Sequence, residues 1–274
     1  MDTPNVPAIA FIGGGNMASA LIGGLRQSGQ AADSILVVEP VAEQRLRLEQ
    51  RFGVRTREAA DAALAGTGLV VWAVKPQMFA AAAAPCATQV APALHLSVMA
   101  GIRGDTIARA TGASRIVRAM PNTPALIGRG IAGLFATPAV SAGERARVER
   151  LLVPTGQTLW VEREADLDAV TALSGSGPAY VFYFVEAMVA AAVGMGLTEA
   201  QGKRLALATF DGATALAAQA DEPLAVLRER VTSKGGTTHA ALQSLAADGV
   251  ADAVVRAVKA AQRRAAELGD ENDR

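Results

Sequence analysis

Apolar residues come in two rhythms along this chain, and the change between them falls near residue 164. Before it, short apolar runs recur at 9–12 (I-A-F-I), 34–39 (S-I-L-V-V-E), 69–74 (L-V-V-W-A-V), 94–100, 115–120, 130–136 and 156–161. Short apolar runs bounded by turn residues read as buried strands. Helices are expected between them: to Arg26 after the first run, over 41–52 with Gly53 as its stop, and over 59–64 led by Thr56 and Glu58. Further helices are expected from Pro76, from about Asp105, and after Ser141, which forms a capping box with Glu144. Strands alternating with helices predict a mostly parallel, doubly wound α/β domain over residues 1–163.

From 164 to 274 the strand signals stop and the chain reads as helix, broken at 174–178 (S-G-S-G-P), 194–198, 221–223, 233–238 and Gly249. This second domain is expected to be all helical. Residues 179–197 are nearly all apolar over a length that could span a bilayer. Glu186 sits in the middle of that stretch, glycines and alanines dilute it, and no second stretch of the kind follows. A helix hidden against another copy of the chain is therefore the better reading, and no membrane partner is expected.

The first strand runs into the sharpest local signal. Gly13, Gly15 and Ala18 are spaced G-x-G-x-x-A between a strand and a helix, with Asn16 and Met17 inside the turn. Gly13 allows the tight turn, Gly15 lets backbone approach a pyrophosphate, and Ala18 lets helix and strand pack closely. The free N–H groups at the helix start then face phosphate. This is a dinucleotide-binding fingerprint in its required context, so the first domain is expected to be Rossmann-type. Glu39 closes the second strand where a carboxylate would bond the adenosine ribose, which taken alone favours NAD, although an acid facing water at a strand end is the alternative. Ligands bind beyond the carboxyl ends of strands in such sheets, so the turn of Ala73, Val74, Lys75 and Pro76 is placed near the cofactor. The small residues after 94–98 (Met99, Ala100, Gly101) and the Pro121-Asn122-Thr123-Pro124 turn, read as rigid and non-helical, share that edge.

Composition narrows the chemistry. The chain has 274 residues, 51% of them hydrophobic, and Lys plus Arg equals Asp plus Glu at 26 each. Without a basic block or an aromatic stripe, nucleic acid is not expected as a partner. Cys86 is the only cysteine, which removes internal disulfides and cysteine-based metal sites. With no secretory pattern at the N-terminus, a cytoplasmic location is expected. His95 begins a strand, and a structural role is the better reading for it; His239 begins a helix. No triad order or metal-ligand spacing stands out, so a cofactor should carry the reaction. Ser233-Lys234-Gly235-Gly236-Thr237-Thr238 opens a helix and could hold a small anion; Ser174 and Ser176 offer a second polar loop. Ordinary helix breaks with Ser and Thr caps are the alternative for both.

Taken together, F-I-G-G-G-N-M-A at 11–18, A-V-K-P-Q at 73–77, M-P-N-T-P at 120–124, V-T-A-L-S-G-S-G-P-A-Y at 170–180 and S-K-G-G-T-T at 233–238 resemble the pyrroline-5-carboxylate reductase family. The resemblance implies reduction of 1-pyrroline-5-carboxylate to L-proline by NADPH or NADH, the last step of proline biosynthesis. It implies a helical dimerisation domain over 164–274, a homodimer, and in many relatives rings of dimers. Carried over by position, 73–76 and 98–101 border the nicotinamide, Thr171, Ser174 and Ser176 lie near the substrate ring, and Gly236, Thr237 and Thr238 hold its carboxylate beside Ser233. Thr171 is the candidate for a hydroxyl on the ring nitrogen. Three positions depart from the family pattern: Lys234 replaces a usual proline, Gly14 a common alanine, and Glu39 a small or polar residue. The Gly14 change is expected to be harmless, whereas Glu39 puts an NADPH preference in doubt. A reductase of another cyclic imine or an oxo acid, and a non-catalytic dinucleotide-binding regulator, are the alternatives on the same architecture.

Overall fold

The computed structural model describes residues 8–273. They divide into two compact units, residues 8–176 with 261–273, and residues 177–260. The strands of the first unit are β1 (Ile9–Ile12), β2 (Ile35–Val38), β3 (Arg55–Arg57), β4 (Leu69–Trp72), β5 (Leu94–Ser97), β6 (Ile116–Met120), β7 (Gly130–Ala136) and β8 (Gly156–Trp160). They form one sheet in the order β3-β2-β1-β4-β5-β6-β7-β8. Pairing is parallel from β3 to β6, β7 runs antiparallel to β6, and β8 runs parallel to β7. The first six strands have the doubly wound order, in which direction of winding reverses between β1 and β4 and leaves a crevice at their carboxyl ends.

The helices of this unit are α1 (Asn16–Gln27), α2 (Ala42–Phe52), α3 (Phe79–Ala83), α4 (Ala87–Val90), α5 (Gly104–Thr111), α6 (Ala142–Leu152) and α7 (Asp166–Val170). Alternate strand residues face opposite sides of the sheet. Phe11, Val37, Leu69 and Val71 join one buried cluster with Leu21, Ile22, Leu48 and Val148 of α1, α2 and α6. Ile12, Leu36, Val70 and Trp72 join another with Phe79, Ala83, Val90 and Ile107 of α3, α4 and α5. Both faces are thus covered, which is why the strands read as unbroken apolar runs. The capping box of Ser141 and Glu144 forms at the start of α6.

Three local expectations are corrected. Thr56 belongs to β3, not to a helix, because pairing of Arg55–Arg57 with Leu36–Val38 at the sheet edge outweighs local propensity. Helical turn then comes later, at Ala62–Leu64. The segment after Asn122 is a short 3-10 helix, Thr123–Ile127, since Pro124 lies where its missing N–H breaks no bond. The S-G-S-G-P stretch does not interrupt the helix: Thr171–Gly175 is a π-turn, and helix runs from Asp166 to Gly194.

The second unit holds α8 (Gly177–Gly194), α9 (Glu199–Gln219), α10 (Leu224–Arg230), α11 (Thr237–Ala247) and the first part of α12 (Val250–Asn272). Gly202 lets α9 approach α8, since a Cβ there would stand 2.9 Å from that of Ala192. Within this unit Phe182, Tyr183, Met188, Leu205 and Leu216 remain exposed. By length and composition, Asp166–Gly194 is apolar enough to cross a membrane.

Candidate active site

The crevice between β1 and β4 is built by the glycine turn. Gly13 has φ +97°, and a Cβ on it would lie 2.7 Å from the Ala73 carbonyl oxygen, so only glycine fits between the two strand ends. The turn is pinned on both sides: Gly13 N–H donates to the Val38 carbonyl and Ala73 N–H to that of Ile12, each at 2.8 Å. Gly15 caps α1, and a Cβ there would meet no atom within 4 Å. Asn16 and Met17 begin α1, and Ala18 is wholly buried against the sheet. A cleft of about 520 Å³ opens here, lined by Gly13, Gly15, Glu39, Ala73, Val74 and Lys75 among others. An open Gly15 facing a cleft at a helix start fits the approach of a dinucleotide pyrophosphate.

Other residues expected at the cofactor lie on the same edge without lining this cleft. Pro76 starts a short 3-10 helix after β4. Met99 is buried and Ala100 exposed after β5, while Gly101 turns with φ +71° and accepts a bond from Asn272 Nδ2 at 3.3 Å. Asn122 Oδ1 accepts from Ile131 N–H at 3.0 Å, tying the 3-10 turn to β7.

Glu39 does not face water. It is buried, its Oε2 accepts from Gly14 N–H and its Oε1 from Val41 N–H, both at 2.9 Å. The carboxylate therefore staples the end of β2 to the glycine turn. Gly14 leaves room that Leu48 fills, because a Cβ there would stand 2.7 Å from Leu48 Cδ1.

The π-turn brings a second set of polar groups to the same edge. Gly175 seats it on β6, since a Cβ there would lie 2.8 Å from Met120 Cε. Ser176 N–H bonds the Thr171 carbonyl at 2.8 Å, the wide spacing that defines the turn. Thr171 Oγ1 donates to the Leu167 carbonyl at 2.7 Å, and Ser174 Oγ to that of Val170 at 3.0 Å. With its hydroxyl proton committed, Thr171 keeps oxygen lone pairs and acts as an acceptor. In the second unit, Gly236 caps α11, its N–H bonds the Ser233 carbonyl at 3.0 Å, and Thr237 and Thr238 are the first residues of the helix. Lys234 is exposed.

His95 is out of reach of any substrate. It is fully buried, with Nδ1 accepting from Trp72 Nε1 and Nε2 bonded to the Val90 carbonyl, each at 2.9 Å. Those partners fix a neutral ring protonated on Nε2. Burial pushes its pKa down, against the bond to Val90, and the charge of Arg115 adds to the fall. Among the described residues no cluster of His, Cys, Asp and Glu is arranged to hold a metal.

Sequence reasoning missed one polar cluster. Arg118 lies buried in β6 and donates through Nη1 to Glu164 Oε1 at 2.8 Å; the same oxygen accepts from Gly104 N–H at 2.6 Å. Asp168 lines the small cavity beside them, its carboxyl held above the ordinary range by burial although the charges of Arg118 and Arg103 pull it down. Arg103 in turn pairs with Asp270 at 2.5 Å and Asp273 at 2.8 Å near the end of α12. An arginine inside an otherwise apolar strand, I-V-R-A-M, was the available signal.

The family model described as pyrroline-5-carboxylate reductase dimerisation matches residues 164–268, and one described as NADP oxidoreductase, coenzyme F420-dependent, matches 8–101. Pyrroline-5-carboxylate reductase of Pseudomonas aeruginosa is 43% identical over 97% of this chain and 98% of its own length. That of Haemophilus influenzae is 40% identical over 95% and 97%. Among solved structures, a pyrroline-5-carboxylate reductase from Coxiella burnetii superposes with TM-score 0.89 at 33% identity, covering 96% of this chain and 98% of that one. The Plasmodium falciparum pyrroline carboxylate reductase, solved with NADP bound, gives 0.84 at 26% over 97% and 99%. With such similarity over nearly its whole length, the chain belongs to the pyrroline-5-carboxylate reductase family.

Proposed function

We propose that this chain reduces 1-pyrroline-5-carboxylate to L-proline, as the last step of proline biosynthesis, with NADPH or NADH as the reductant. The observation that carries the reading is the seat of the Thr171–Gly175 π-turn on Met120, at the sheet edge where the glycine turn opens its cleft. Bound in this cleft, the nicotinamide would supply the hydride that reduces the C=N carbon. Gly13, Gly15, Asn16, Met17 and Ala18 would hold the pyrophosphate, and 73–76, 99–101 and Asn122 would border the cofactor toward its reactive end.

The substrate is an electrophile once its ring nitrogen is protonated, and hydride addition then gives the amine with no further proton needed. Thr171 suits that state, because an oxygen whose own proton is engaged by Leu167 accepts the N–H of an iminium. It orients the ring rather than donating to it. Ser174 and Ser176 lie on the same turn. Ser233, Gly236, Thr237 and Thr238 would take the carboxylate at the start of α11. The division of labour is a dinucleotide-binding domain over 1–163 and a helical dimerisation and substrate-binding domain over 164–274. The working form is a homodimer, assembling further in the manner of dimer rings, in the cytoplasm, without nucleic acid or membrane as partner. The exposed apolar residues of α8 and α9 are the surface that a second copy would cover.

The test is oxidation of NADH and of NADPH by purified protein supplied with 1-pyrroline-5-carboxylate, with L-proline identified as product. Turnover with proline formed is expected; absence of turnover with both cofactors would overturn the reading.

A further inference from the structure

The carboxylate that the sequence offers as the ribose reader also has a structural duty. Both oxygens of Glu39 hold backbone N–H groups, of Gly14 and Val41, so its first duty is to keep the glycine turn in place. A second acid stands in the same cleft. Glu58 follows β3, lines the cleft with Glu39, Pro40 and Val41, and is 76% exposed. The cations nearby are committed. Arg45 Nη1 donates to the carbonyls of Glu39 and Pro40, each at 2.8 Å, and its Nη2 lies 3.4 Å from Glu58 Oε2. Arg57 is turned to Asp61 at 3.2 Å and to the Thr56 carbonyl. Among the described residues lining the cleft the one cation is Lys75, which follows β4 rather than β2.

The end of β2 is where a doubly wound fold places the adenosine ribose, and a 2′-phosphate there needs a cation to meet it. In this chain it would meet two carboxylates, and an arginine already spent on carbonyl oxygens. We propose that the chain binds NAD(H) more tightly than NADP(H), and that Glu58 with Arg45 sets that choice together with the usual acid at the end of β2. The inference rests on the reading of the first unit as a nicotinamide dinucleotide-binding domain. Neutralising Glu58 removes one repulsive charge and releases Arg45 Nη2 toward the ribose. Neutralising Glu39 unseats the turn that both cofactors need.

Calorimetric titration of the full-length protein with NAD+ and with NADP+ reads the choice without turnover. The wild type should bind NAD+ about fivefold more tightly, the scale of one exposed, water-screened charge contact. Glu58→Gln should shift the ratio of the two dissociation constants toward NADP+ by about fivefold. Glu39→Gln should weaken both, since the lost contacts are to backbone common to both ligands, and should also move the ratio toward NADP+ because a charge facing the 2′-phosphate is removed. Tighter NADP+ binding by the wild type, or an unmoved ratio in Glu58→Gln, would each overturn the proposal. Binding of neither dinucleotide would overturn the reading of the domain together with it, whereas turnover and binding with the wrong ratio would overturn the proposal alone.

Discussion

Removing the Glu164 carboxylate tests the account of the buried cluster beneath the cofactor edge. One oxygen of Glu164 serves two donors, Gly104 N–H at 2.6 Å and Arg118 Nη1 at 2.8 Å. The Arg118 side chain is 9% exposed and its Nε already has no partner, so the guanidinium has little water to fall back on. Breaking a buried pair by deleting one member costs about 3–5 kcal/mol. Two features set the value at the low end: Glu164 is 25% exposed, and Asp168 stands in the same cavity as a remaining negative charge. Loss of the N–H acceptor at the start of α5 adds about 1 kcal/mol. Glu164→Ala should therefore destabilise by about 3–4 kcal/mol. Glu164→Gln keeps an acceptor oxygen and should cost about half as much. The sharper result is in the pair: Arg118→Met/Glu164→Ala should be less destabilised than Glu164→Ala alone, because no unpaired charge is left buried. Urea unfolding at one fixed protomer concentration gives these differences, the fixed concentration being needed for a chain that assembles. A cost under about 1 kcal/mol for Glu164→Ala, or a double variant equal to the sum of the singles, would refute the reasoning.

Three further outcomes follow from single side chains. The His95 ring is held neutral by burial with its pKa below the ordinary value of about 6.5, so the unfolded state takes up the proton first as pH falls. Stability should be complete above about pH 6.5 and decline below it toward the lowered native pKa, and urea midpoints across that window should lose this slope in His95→Gln. Burial pushes the Cys86 thiol up to about 11, so the native protein should resist iodoacetamide at mildly alkaline pH and react once unfolded; rapid native labelling, read by mass spectrometry, would contradict its burial. Thr171→Ala loses an acceptor for a charged N–H, worth about 1.5–3 kcal/mol, and should cut kcat by about tenfold to a hundredfold with cofactor KM kept. Unchanged turnover would remove Thr171 from the mechanism.

Much of the dinucleotide domain was legible because its information is contiguous. The run I-A-F-I followed by glycines at fixed spacing specifies strand, turn and helix within a dozen residues, and Gly13 at φ +97° is the conformation that the spacing implied. β3 was not legible, since R-T-R has no apolar run and becomes a strand only by pairing with β2. The S-G-S-G-P stretch reads as a break because clusters of glycine, serine and proline commonly interrupt helices. Here Gly175 is wanted for its lack of a side chain against Met120, a contact across more than fifty residues of chain that local reading cannot see.

The sequence by itself determined the buried strands, the parallel winding, the glycine turn and the family, because each is written in neighbouring residues or in motifs of fixed spacing. The tertiary structure alone decided what the charged groups do. Glu39 became a brace once Gly14 and Val41 N–H groups closed on it, Arg118 found Glu164, and Arg103 met Asp273 from 170 positions away. Apolar burial follows a periodicity that can be read along the chain, whereas the partner of a charge is whichever group the fold brings within about 3 Å, and no periodicity encodes that.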